Sequence, residues 1–268
     1  MKFLKKASLA ASIAAVSFAA NAELVAMDEM AMAAATGQAG IDLDIELSGT
    51  DAISIGSIVY TDTDTDGSLT IDTINVGAAD GGVLTLTNAI DITADGDLQI
   101  VGGAVTGLLV TVDSIDLSGG ANLVSDLSLN INMGESTTVI SQAVEGVAGS
   151  GVDADGVTAG ATKIDHTGSF QITNGSVDLL DGGIQIADIE VYNMVDDGTG
   201  TGTMVKGAVT TDLVMWTDAD ALNIKAGFEG SIELGSVTLG SSATAASIGS
   251  VAINDLAMTG ATIKVSGH

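Results

Sequence analysis

The sequence predicts a mostly-β fold, a solenoid-like stack of short strands preceded by a short N-terminal helix, with a β-sandwich as the alternative packing. Three observations lead there. After Gly40 the apolar residues alternate with polar ones at period two, as in Ile41, Leu43, Ile45 and Leu47 against Asp42, Asp44 and Glu46. The 268-residue chain has 35 glycines and no proline, so turns are frequent and no ladder N–H is missing. Beyond residue 22 the only aromatics are Tyr60, Phe170, Tyr192, Trp216 and Phe228. A wide sandwich core needs large rings to fill it, whereas a narrow one of Ile, Val, Leu and Ala does not.

Met1 to Lys6 is a basic n-region, Ala7 to Ala19 an uncharged run of small apolar residues, and Ala20-Asn21-Ala22 a small-x-small cleavage site. Residues 1–22 therefore read as a secretory signal peptide. The run is too short to span ~30 Å of hydrocarbon, and no second such run follows, so no transmembrane segment is expected after cleavage. Residues 23–40 form a helical cap: Leu24 to Ala35 is rich in Ala, Met and Leu, with Asp28 near its start and Gly37 at its end. Residues 41–268 are the β-rich domain. Its recurring unit is a pair of aliphatics two apart, one or two polar or Gly residues, then a second pair, as in SIELGSVTLG at 231–240 and GGIQIADIEV at 182–191. Strands this short and dense suggest solenoid coils, although no fixed period runs the whole length. Ser141 to Gly160, Asp196 to Gly202 and Ser241 to Ala246 read as loops.

The charge narrows the partners. Seven lysines, no arginine and 35 acidic residues give −28, and loss of the leader with its three lysines leaves 4 − 35 = −31. Nucleic acid and anionic membrane surfaces need basic groups to neutralise phosphate, so both are excluded as partners. With no cysteine, neither a disulfide framework nor a thiolate metal site can form.

The sharpest motif is Asp62-Thr63-Asp64-Thr65-Asp66-Gly67. It sets Asp62, Asp64 and Asp66 on one side of a tight loop, where three hard oxygen ligands suit Ca²⁺. Thr73 stands where an EF-hand has its bidentate Glu, so the two readings are a calcium loop between strands or an acidic solvent loop. Asp153-Ala154-Asp155-Gly156, Asp95-Gly96-Asp97 and Asp218-Ala219-Asp220 are weaker echoes that read as turn chemistry. The histidines are His166 and His268, and no serine sits in a G-x-S-x-G elbow, so a nucleophilic triad is not expected. His166 reads as an exposed strand or turn residue. Catalytic residues are accordingly none, and the chain is not read as an enzyme.

LVAMDEMAMAAATGQAGIDLDIE at 24–46 resembles the N-terminus of a group of Gram-negative exported proteins labelled pilus assembly protein FilA, or left as a domain of unknown function. Met27-Asp28-Glu29 and Thr36-Gly37-Gln38-Ala39-Gly40-Ile41 carry the match, and the strand ending at Gly267-His268 is similar too. The resemblance implies a structural or adhesive component of the bacterial cell surface, associated with pilus-like filaments, and located at the surface or extracellularly, with the periplasm as the alternative. Self-association or binding of other surface proteins would be its mode of action. A calcium-binding extracellular module is the second reading and a carboxylate-based hydrolase the third.

Overall fold

The computed structural model of the chain describes residues 40–62, 67–200, 202–242 and 245–266. The leader, the expected helical cap up to Ala39, and Asp64 and Asp66 lie outside the described residues. Fourteen strands follow one another: β1 (Ile41–Ser48), β2 (Ile53–Thr61), β3 (Ser68–Ala78), β4 (Val83–Ile92), β5 (Leu98–Gly102), β6 (Val105–Leu117), β7 (Ala121–Met133), β8 (Ser136–Gln142), β9 (Thr162–Leu179), β10 (Ile184–Asp196), β11 (Met204–Gly207), β12 (Val209–Thr217), β13 (Leu222–Leu239) and β14 (Ser247–Val265). The mostly-β class holds. Every strand pairing is antiparallel, however, so the chain is a meander and does not stack coil on coil.

The meander makes long passes, each crossing from one sheet region into another. β1 runs on into β2, β3 into β4, β5 into β6 and β7 into β8 across breaks of a few residues. β9, β13 and β14 cross uninterrupted. One region is ordered β1-β4-β5-β8-β9-β12-β13-β14 and the other β2-β3-β6-β7-β9-β10-β13-β14. β9 shows the sharing plainly: Lys163 to Phe170 pairs with β12, whereas Ile172 to Leu179 pairs with β10. β10 and β12 form one pass interrupted by the β10–β11 hairpin.

This pattern explains why the sequence looks like many short strands. Pairs of aliphatics assigned to separate strands, such as Ile184/Ile186 and Ile189/Val191, lie in one strand with a kink between them. Asp188 supplies that kink at φ 54°, as do Thr73 at 46° in β3 and Asp126 at 50° in β7. These kinks meet across the second region: Gly56 faces Thr73, Thr73 faces Asp113, Asp113 faces Asp126, and Asp188 faces Gly235. A left-handed residue re-aims a strand as a bulge does, and Asp tolerates it better than most. Aliphatic therefore meets aliphatic on both sides of the row: Ile58 with Ile71, Ile55 with Ile74, Ile186 with Val237, and Ile189 with Leu234.

The core sits where the two regions fold over each other. Leu47 and Leu84 of the first meet Ala78, Val105 and Leu108 of the second, with Leu86, Ile131 and Met133 packed beside them. This cluster joins the two regions near the N-terminal end of one continuous 14-stranded sheet.

At Asp188 the kink row sets a glycine, Gly235, opposite the aspartate. A Cβ on Gly235 would stand 2.7 Å from the Asp188 Cβ. Gly235→Ala is expected to destabilise the domain by about 1–3 kcal/mol, the range for overpacking. Asp188→Gly, which keeps the left-handed backbone, should change stability by less than about 1 kcal/mol. Urea unfolding followed by circular dichroism measures both.

Candidate functional site

Polar side chains concentrate at the loop between β8 and β9. It begins and ends on paired backbone, with the Ala143 N–H donating to the Ala161 carbonyl (2.8 Å) and the Gly160 N–H to the Ala143 carbonyl (2.8 Å). Val157, fully buried, plugs it onto Ala143 and Val214, and Trp216 packs against them. Asp153-Ala154-Asp155-Gly156 is a turn here: Asp153 Oδ1 accepts from the N–H groups of Asp155 (2.9 Å) and Val157 (2.8 Å). Lys163, next to the loop on β9, reaches Asp153 (2.9 Å), Asp155 (3.3 Å) and Asp165 (3.0 Å), and Lys225 of β13 reaches Asp155 (2.9 Å).

Burial pushes the Asp153 carboxyl up, but the Lys163 ammonium and the two loop N–H groups together outweigh it and hold the group below its usual range. Lys225 does the same for Asp155, against desolvation and with help from Lys163. Lys163 is raised despite its own desolvation, by the three carboxylates. A general acid in glycoside hydrolysis needs a raised carboxyl, the reverse of this arrangement.

The other lysines also brace the chain. Lys206 carries the β11 hairpin back onto Glu190 and Glu233, 4.4 Å over the Tyr192 ring. Lys264 of β14 reaches Asp218 at 3.4 Å. Asp218 caps the β12–β13 turn, accepting from Asn223 (2.9 Å), Asp220 (3.1 Å) and Ala221 (2.9 Å), and these bonds bring its carboxyl down to about 2. Asp95-Gly96-Asp97 forms the β4–β5 turn, closed by the Thr93 N–H donating to the Asp97 carbonyl. The turn reading holds at all three echoes.

Asp62 closes the β2–β3 hairpin, its N–H donating to the Gly67 carbonyl at 2.8 Å. With Asp64 and Asp66 outside the described residues, Asp62 alone of the three expected calcium ligands is placed. Among the described residues no group of three or more His, Asp and Glu side chains is placed to hold a metal. His166 is half-buried on β9, not exposed, with Nδ1 2.8 Å from the Thr138 Oγ1. It lines a cleft of about 380 Å³ between the two sheet regions, with Met133, Val105 and Phe170. Asp165, its neighbour, is committed to Lys163.

The outer strands stand apart from this acidic surface. Among the described residues β14 pairs only with β13, β2 only with β3 and β1 only with β4. β2 reads ISIGSIVYT, and the first eight residues of β14 read SIGSVAIN, neither with a single charge. Every residue of β2 and nearly every one of β14 is exposed. Soluble proteins normally blunt such edges with charge, proline or a cover.

The chain belongs to a family of unknown function, DUF6160. The family's profile matches residues 1–220, through β12 and into the turn that precedes β13. No curated protein and no solved structure matches the chain. No named relative therefore bears on the pilus label. Among the described residues no helix is long and apolar enough to cross a membrane.

The Lys163 cluster makes a pH prediction. Carboxyls held low in the folded state stabilise it fully above the unfolded value of about 3.9, and that contribution is lost as pH falls through the lower folded values. Lys163→Met should cost about 1–3 kcal/mol at pH 7, discounted because the cluster is partly open to water. The cost should shrink as the pH is taken below the usual carboxylate range and the carboxyls protonate. Urea denaturation of both proteins at pH 7 and in acid reads this directly.

Proposed function

We propose that this chain is an exported structural or adhesive component of the bacterial cell surface, which associates through the open edges of its β-sheet. The observation that carries the reading is the chargeless, aliphatic edge. In a protein of net charge −28, β2 and the start of β14 carry no acid at all. Exposed backbone N–H and C=O groups on such a strand pair readily with an added strand, and side chains alternating along it set the register. The leader-like residues 1–22 support export, and the resemblance at 24–46 supports a place in or beside surface filaments. The acidic remainder keeps the protein soluble and repels contacts elsewhere on its surface.

The test is location together with edge charge. Immuno-electron microscopy of the native cells should find the protein on the surface or in filaments. Ile58→Lys and Val251→Lys, at positions 47% and 48% exposed, should leave the melting curve within a few degrees of wild type and abolish association in sedimentation experiments. A protein confined to the periplasm, and monomeric at high concentration, would overturn the proposal.

A further inference from the structure

Both open edges belong to the same pair of sheet regions, and they lie at opposite ends of them. The first region begins at β1 and ends at the second half of β14, and the second begins at β2 and ends at the first half of β14. β14 therefore borders both regions at one end, and β1 with β2 borders both at the other. The directions are complementary. β14 runs from the second region into the first, and β1–β2 runs from the first into the second. Laid edge to edge they are antiparallel, like every pairing inside the chain.

We infer that the partner is a second copy of this chain, added head to tail, with β14 of one copy pairing to β1 and β2 of the next. This rests on the edge-association reading and names its partner. One register satisfies the whole length, the one in which paired positions sum to 306. Ile53 then meets Ile253 (53 + 253), Ile55 meets Val251 and Ile58 meets Ile248 in the second region. Ile41 meets Val265 (41 + 265) and Leu43 meets Ile263 in the first. All ten side chains are exposed. The spacing Ile55 to Ile58 is three residues instead of two, and Val251 to Ile248 matches it because both strands carry Gly-Ser there. Gly56 falls opposite Ser250, which continues the kink row. The connection at 49–52 falls opposite 254–257, where Asp255 kinks β14 at φ 53°.

Charge agrees with shape at one end of the contact, while in the connection the register sets Asp51 opposite Asp255 (51 + 255). Lys264 is the one basic residue of β14, and the same register places Asp42 of the next copy against it (42 + 264). The Lys264 side chain is 65% exposed and only loosely held by Asp218 at 3.4 Å. A slip of one residue would set Lys264 against Ile41 or Leu43 and would turn the aliphatic pairs to opposite faces. The apolar rows inside the chain pass straight through the junction. Ile74–Ile55 on one copy would continue into Val251–Leu234–Ile189 on the other. Pairing β14 with β14 of another copy would instead join the first region to the second and leave β1 and β2 open. The head-to-tail contact is heterologous, so it builds a ring or a filament.

The chain has no cysteine, so introduced pairs report the register. Ser54→Cys with Ala252→Cys (54 + 252) in the full-length mature protein should give, on mild oxidation, a ladder of disulfide-linked species beyond the dimer. Asp44→Cys with Thr262→Cys (44 + 262) should do the same in the first region. Each single variant should stop at dimer or below, and the off-register pair Ser54→Cys with Ile248→Cys should give a ladder at least tenfold weaker. Asp42→Lys should weaken association, and Asp42→Lys with Lys264→Asp should restore it. Equal ladders from in-register and off-register pairs, or full linkage by Ala252→Cys alone, would overturn the inference. If edge-charged variants lose surface association but the purified chain never links to itself, a different partner takes the edge. That result sinks the head-to-tail contact and leaves the edge reading standing.

Discussion

The structure depends on keeping kinks in line. An antiparallel sheet tolerates a left-handed residue in one strand only if its neighbours give way at the same level. Here they do so strand after strand, with a glycine, Gly56 or Gly235, facing Thr73 or Asp188. The alignment lets long passes change direction together without breaking the ladder. Between the two regions the strands run through unbroken in β9, β13 and β14. At the N-terminal end the passes break into separate strands, and Leu47, Leu84 and Leu108 close the regions on each other. The scarcity of aromatics then follows, because a cleft folded this tightly is filled by Leu, Val and Ala.

Much of this is legible in the residues. The paired aliphatics in SIELGSVTLG and GGIQIADIEV do mark strand, and the polar residues between them do mark a backbone departure. What local pattern cannot separate is a turn that reverses the chain from a kink that leaves it running on, because Asp, Asn and Gly serve both. Leu180 and Asp181, at φ 56° each, make a true reversal between β9 and β10, whereas Asp188, at 54°, does not reverse anything. Only the strand across the sheet decides, and that neighbour lies some fifty residues away. The same non-local dependence hid the Lys163 cluster. Asp153 and Asp155 were readable as turn formers, but the lysine that holds them is on β9. His166 read as exposed for the same reason, since Thr138, its partner, is set against it only by the β8–β9 register.

The lysines show how a very acidic chain holds itself together. Each of the four in the described residues is spent on carboxylates that would otherwise crowd one another, and each ties a loop, turn or hairpin to the sheet. A fold braced in this way commits Lys163, Lys206 and Lys225 to its own carboxylates, with Lys264 the most loosely held. It also has a stability that leans on carboxylates staying ionised, so acid should loosen the loops before the ladder.

Charge placement also decides where two copies could touch. Self-repulsion at −28 opposes association everywhere, and over distances beyond a Debye length of about 8 Å it is screened at physiological salt. What remains is local, and locally β2 and the first half of β14 are neutral. Of the acids of β1, Asp42 would face Lys264, whereas Asp44 and Glu46 would face the uncharged Thr262 and Gly260. On the head-to-tail proposal such a surface gives a directional contact, with the chain dispersed when dilute and extended in one dimension once crowded or screened. Association should therefore strengthen with added salt, the opposite of a contact built on charge attraction. That sign separates a backbone-paired edge from the Asp42–Lys264 pair taken alone, and it makes the hydrogen-bonded strand the main contact, with the ion pair selecting its register.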